Sequence, residues 1–363
     1  MSHCEGSFRA LFLYDVADEI RLEELRRLVG AGPPGREPGF KLAAPDYVRF
    51  ERPPVEVPSD PVRLAGGECF ETRIKYFDYG VISVHFETPF RGGWEDLVAL
   101  SSRWIEAPEL ENRALEAARC HMERVRPAIG KPYDDWLDEA YYVIHLAEAH
   151  DDDGRVLYAP DLLARHGRTL AQIVRGEVAP LSEAEQREVL QSSMSFYPSD
   201  LLVVGWLAAL IYDTPEGAAP TLQLLEYANS QLLEYRRYDE LLTEILARAY
   251  DALERRRGFL ARWRLAREAE RLNALRLELT ELTERTDNAI KFLSDMFYAR
   301  AYQLAAAKVG VNDYRRLVEA KLRTAGELYQ FMVNEFHHAR AFVLELMIVI
   351  ILLIDLYYLF RGK

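Results

Sequence analysis

Side chains able to do acid–base or metal chemistry gather in one part of the chain: Asp134, Asp135, Asp138, Glu139, His145, His150 and Asp151 to Asp153, with His85 further upstream. Carboxylates and imidazoles brought together in space are the parts of general acid–base catalysis. Their spacing in sequence supports no particular reaction. His150-Asp151-Asp152-Asp153-Gly154 places its acids side by side, whereas a calcium loop alternates its ligands and closes on a glutamate twelve positions along. His85 has no nucleophile or base at a telling distance and reads as a cross-strand or core histidine. Cys4, Cys69 and Cys120 are scattered and odd in number, which suits neither zinc nor a disulfide framework and reads as reduced thiols. The GAGPPGREPG run from Gly30 to Gly39 follows a helix instead of opening one, and its prolines lack amide donors, so it makes a poor phosphate cradle. No cofactor, metal ligand or catalytic residue is assigned.

Two further acids, Glu345 and Asp355, have an unusual setting. They interrupt AFVLELMIVIILLIDLYYLF, residues 341–360, which otherwise carries no charge. Twenty helical residues span about 30 Å, the hydrocarbon thickness of a bilayer. The stretch reads as a C-terminal transmembrane anchor with membrane lipid as its surroundings. The acids lie one to two turns from its ends. They are expected either to snorkel outward or to face a neighbouring copy in a helix bundle. Residues 1–15, MSHCEGSFRALFLYD, lack a basic segment followed by an apolar core, so no cleaved leader is expected. A single span inserted after translation would leave the bulk on the cytoplasmic side, with a bacterial inner membrane as the expected location. The net charge of −13 disfavours nucleic acid as a partner.

The elements upstream fall into two parts. Phe8 to Asp15 reads as a buried strand, and Ile20, Leu22, Leu25, Leu28 and Val29 form a helical stripe. Tyr47 to Phe50 suits a short strand ended by Pro53-Pro54. Phe70 to Phe86 alternates around Asp78-Tyr79-Gly80 and predicts a hairpin. Helical spacing runs from Trp94 to Val125 with a break near Pro108. Tyr141 to Ala147 is strand-like, and two short helices follow, Pro160 to Val174 and Ser182 to Leu190, the second opened by a Ser182–Glu185 capping box. Met194 to Asp213 predicts a second hairpin turning at Tyr197-Pro198-Ser199-Asp200. Strand, helix and hairpin thus occur twice. The expected fold is α+β: a mixed N-terminal unit of two βαββ-like halves (1–90 and 130–215, within a head of 1–215), then long antiparallel helices or a coiled coil over 221–335, then the transmembrane helix 341–360.

Within the helical region Leu272, Leu275, Leu279, Leu282, Thr286, Ala289, Leu293 and Met296 alternate in steps of three and four. That is the form of a coiled-coil seam, open to either an intermolecular coil or a hairpin within one subunit.

Several segments in order resemble the membrane-anchored family known as domain of unknown function 155. They are Tyr76-Phe77-Asp78-Tyr79-Gly80-Val81-Ile82, Gln191-Ser192 before the second hairpin, Asp213-Thr214-Pro215-Glu216 at the junction into the helices, and Leu344-Glu345 with an apolar run to Asp355. The chain departs from that pattern in lacking a Trp after Glu345 and in an Arg-rich insertion around 255–300, which points to a prokaryotic branch. The resemblance implies an oligomeric, membrane-tethered α+β protein with a helical stalk. The expected function is a non-enzymatic, membrane-anchored scaffold or assembly protein that forms a homo-oligomer through its helices. The alternatives are a channel or transporter subunit resembling CorA, though the Gly-Met-Asn motif and a second span are missing, or an enzyme in the head.

Overall fold

The computed structural model describes residues 3–30, 53–64, 66–254, 267, 269–274, 276–277, 280 and 296–361. At its centre is an eight-stranded mixed sheet in the order β2-β3-β4-β1-β5-β8-β7-β6. Strand β1 (His3–Ile20) is followed by helix α1 (Leu22–Val29) and by β2 (Val55–Arg63), β3 (Cys69–Tyr76) and β4 (Val81–Gly92). Helices α2 (Trp94–Trp104) and α3 (Pro108–Val125) then lead into β5 (Ile129–His150). Beyond it come α4 (Ala159–Arg175), α5 (Glu183–Gln191), β6 (Ser193–Met194), β7 (Leu201–Val204) and β8 (Ala208–Tyr212).

Each half therefore runs strand, helix, three-stranded meander, and the meander's last strand returns beside the first. The halves meet at the antiparallel β1–β5 pair, where Leu11 lies opposite Tyr141 and Ser7 opposite His145. They differ in one respect: β4 joins β1 antiparallel, whereas β8 joins β5 parallel. The long crossover through α4 and α5 permits the parallel pair.

Two expectations are corrected. The second hairpin is three strands, because Gly205-Trp206-Leu207 turns the apolar run again between β7 and β8. An apolar stretch without alternation conceals such a turn. The strand before β3 is Val55–Arg63, although it contains Pro58 and Pro61. It lies at the sheet's edge, where a missing amide donor breaks no ladder, and the register shifts between Ser59 and Val62. The strand expected at Tyr47 to Phe50 lies outside the described residues.

The turn between β3 and β4 depends on Gly80, at φ +95°, where a Cβ would sit 1.7 Å from the carbonyl oxygen of Ala17. Only glycine permits both that dihedral and that approach. One face of the sheet, with Phe8, Phe12, Ile74, Tyr76, Phe86, Tyr142 and Ile144, forms a continuous core with α1 to α5. The alternate residues of the same strands carry the polar groups: Arg9 on β1, Lys75 on β3, Ser83, His85 and Glu87 on β4, His145 on β5. Period two puts them all on the second face. Ser182 caps α5, its hydroxyl accepting from the Glu185 amide at 3.3 Å.

Helices α6 (Pro215–Glu254), α7 (Met296–Val309) and α8 (Val311–Arg361) follow, with Gly310 at φ +95° between the last two. The chain divides into two compact units, residues 1–235 with 288–313, and residues 236–287 with 314–363. In the first, Tyr227 of α6 and Tyr302 of α7 bring their rings together, and Phe297 of α7 meets Phe196 edge-on at 5.4 Å. In the second, Ile245, Leu246, Ala249, Ala269, Leu272, Ala325, Leu328 and Met332 make a separate core.

Candidate functional site

The second face of the sheet places ionisable groups where water hardly reaches. Glu226 of α6 points its carboxylate onto β3 and β4, where it takes hydrogen bonds from the Lys75 ammonium and from His85 Nε2. Its side chain is 2% exposed, those of Lys75 and His85 11% and 20%. Burial alone would push the Glu226 carboxyl up, but the charges of His85 and Lys75 outweigh it and hold the group well below the usual carboxylate range. One turn further on, Ser230 meets the Tyr79 hydroxyl at 2.7 Å. Burial pushes the Tyr79 hydroxyl far up, so it remains neutral. Beside this cluster Arg9 pairs with Glu87 at 2.6 Å.

His85 thus has the acidic partner that no local spacing disclosed, because Glu226 is 141 residues away in sequence. A carboxylate on imidazole Nε2 would orient the ring for acid–base work. Glu226 is also fully engaged by Lys75, which makes the cluster a sound means of pinning α6 to the sheet.

The other residues singled out from the sequence are dispersed. His145 lies on the same face as His85, but two strands and four residues away, roughly 16 Å by strand geometry. Its Nε2 donates to the Asp213 carbonyl at 2.9 Å, and burial lowers its pKa. His150 stacks on His3, with ring centroids 4.7 Å apart. The Asp151 carboxylate accepts from the amides of Asp153 and Arg155 at 3.0 and 2.9 Å, closing an Asx-type turn. Those backbone bonds hold it below the usual range. Asp134, Asp135, Asp138 and Glu139 lie in the first half of β5, away from that turn. Among the described residues no cluster of three or more His, Cys, Asp or Glu could hold a metal ion.

A second constellation escaped notice in the sequence. His121 of α3 sits between the Tyr76 hydroxyl, 2.8 Å from Nδ1, and the Ser59 hydroxyl, 3.2 Å from Nε2. A serine, an imidazole and a third group in line resemble a nucleophilic triad. The tautomer argues otherwise. Tyr76 is fully buried and its hydroxyl proton needs an acceptor, which Nδ1 provides. Nε2 then carries the proton and donates to Ser59, so it cannot take the serine's proton. His121 is buried too, which lowers its pKa and favours this neutral ring.

The remaining described residues singled out from the sequence as span or seam lie in the helices. Val343–Arg361 of α8 is a helix long and apolar enough to cross a membrane, and none of its described residues is buried by the chain. Met347 to Ile354 are 47–61% exposed. Glu345 and Asp355 are exposed as well. Arg361 folds back onto Tyr357, donating to its hydroxyl at 2.7 Å. Of the expected seam, Leu272 is buried inside the second unit's own core and Met296 is 78% exposed. Leu275, Leu279, Leu282, Thr286, Ala289 and Leu293 lie outside the described residues.

Comparison with known proteins identifies relatives without supplying a reaction. The family model described as "Uncharacterized protein MJ0711, N-terminal domain" matches residues 5–219, which takes in the sheet from the third residue of β1 to the end of β8. The curated "Uncharacterized protein MJ0711" of Methanocaldococcus jannaschii is 21% identical over 252 residues, covering 69% of this chain and 73% of that protein. No solved structure matches.

Proposed function

Taking as premise that the chain belongs to the family of the MJ0711 N-terminal domain, we propose that it is a non-enzymatic, membrane-anchored scaffold or assembly protein. The observation that carries this is the exposed apolar surface of Val343–Arg361, 19 residues or about 28 Å of helix. Left in water, a surface of that length would drive aggregation. Among the described residues, the histidines and acids singled out from the sequence are spread over separate places, and the Glu226 cluster is internally satisfied. A folded sheet domain held at a bilayer suits the gathering of other components.

The finer parts of the proposal follow from the same features. The bulk lies on the cytoplasmic side of a bacterial inner membrane, the chain is held there by Val343–Arg361, and copies associate through their helices. The segments that resemble the domain of unknown function 155 family, taken in their order along the chain, support that tethered arrangement.

The test is insertion of the full-length chain into vesicles, followed by alkaline extraction. The native chain should stay in the membrane fraction. Ile350→Arg, at mid-span, should be released, because an arginine there costs about 2.5–3.5 kcal/mol, roughly 70- to 400-fold in partitioning. A native chain washed off by alkali would refute the reading.

A further inference from the structure

We infer that the membrane span is itself an interface between copies of this chain, formed by Glu345, Ile348, Leu352, Asp355 and Leu359. This deepens the proposed function and rests on its reading of Val343–Arg361 as a span. These five residues step by three, four, three and four, so they form one seam along α8. Ile348, Leu352 and Leu359 are 58%, 61% and 72% exposed, and both acids are exposed too. On a straight helix the acids point about 80° apart, but the 3.5-residue repeat of a left-handed pair narrows that to about 50°. Both then face the partner, one near each end of a dry stretch about 15 Å long.

Hydrogen-bond complementarity selects a second copy as the occupant. Copies anchored from the same side are parallel, so Glu345 meets Glu345 and Asp355 meets Asp355. A carboxyl group holding a proton both donates and accepts, which makes it its own complement across a symmetric interface. A different partner would need matching groups at both depths. The opposite face, with Ile350, Leu353, Ile354 and Tyr357 around a shallow apolar groove, carries no carboxyl and is left to lipid. Arg361 is turned onto Tyr357 on that opposite side, away from Asp355. Leu272, by contrast, is already enclosed by its own chain.

The test uses the full-length chain in phosphatidylethanolamine–phosphatidylglycerol vesicles, with exposed Cys69 and Cys120 replaced by serine. Single cysteines are introduced along the span and oxidised. Ile348→Cys, Leu352→Cys and Leu359→Cys should crosslink, and Ile350→Cys, Leu353→Cys and Ile354→Cys should not. Separately, energy transfer between labelled copies should show Glu345→Leu and Asp355→Leu each weakening self-association roughly fivefold to thirtyfold, the usual worth of an interhelical hydrogen bond in lipid. A chain that stays embedded under alkali but is monomeric, crosslinks on the opposite face, or associates as well without its carboxyls overturns the inference and leaves the anchor standing. A chain that alkali releases removes the anchor and the inference together.

Discussion

Replacing Glu226 with glutamine is the sharpest probe of how α6 is held to the sheet. The amide keeps the side chain's volume and removes its charge. Lys75 then carries a cation on a side chain only 11% exposed. Removing one partner of a buried ion pair costs about 3–5 kcal/mol. The expected destabilisation at pH 7 is therefore about 3–5 kcal/mol, or roughly 6–20 °C in melting temperature. Four of the five tryptophans, Trp94, Trp104, Trp136 and Trp206, lie within residues 1–235, so tryptophan fluorescence of the full-length chain in detergent, with Trp263 replaced by phenylalanine, follows the right unit. A second variant, Lys75→Met with Glu226→Leu, removes both charges and should recover most of the loss. The sign with pH is also determined. Because the carboxyl is held below its unfolded value of about 4.3, its stabilisation is complete above that pH and is lost only as pH falls through the lower folded value. A loss below about 1 kcal/mol for Glu226→Gln, or a double variant no better than the single one, would refute the account.

Three other outcomes are expected. Gly80→Ala should destabilise by about 3 kcal/mol or more, from the strained dihedral and the approach to Ala17, measurable as a fallen melting temperature. The Cys4 thiol, pushed up to about 12 by burial and by Asp96, should resist a thiol reagent at pH 8 in the native chain while exposed Cys69 and Cys120 react. Two thiols should therefore titrate before denaturation and three after. His145 and His121 both have lowered pKa values in the folded chain, so their contribution is complete above about pH 6.5 and is lost as pH falls through the folded values. His145→Gln, which can still donate to the Asp213 carbonyl, should flatten the fall of melting temperature between pH 8 and 5; an unchanged slope would count against the buried neutral ring.

Local rules made much of the architecture legible. Alternation around Asp78-Tyr79-Gly80 announced β3 and β4, because a half-buried strand repeats every two residues and its turn needs glycine. The break at Pro108 and the cap at Ser182 marked helix boundaries for equally local reasons. β2 was missed because Pro58 and Pro61 speak against a strand unless it lies at an edge, and edge position is a property of the assembled sheet. The turn at Gly205-Trp206-Leu207 was hidden in an apolar run that gives no period.

By itself the sequence determined which segments are apolar enough to be buried or to enter lipid, and where glycine, proline and capping residues interrupt them. Those properties depend on neighbours within a few positions, and the terminal helix with its two acids is read in full from them. Only the tertiary structure decided which distant side chains meet. Glu226 with His85 and Lys75, and Tyr76 and Ser59 with His121, are joined by strand order and by the laying of a helix across a sheet. Partners separated by 45 to 151 residues leave no local trace.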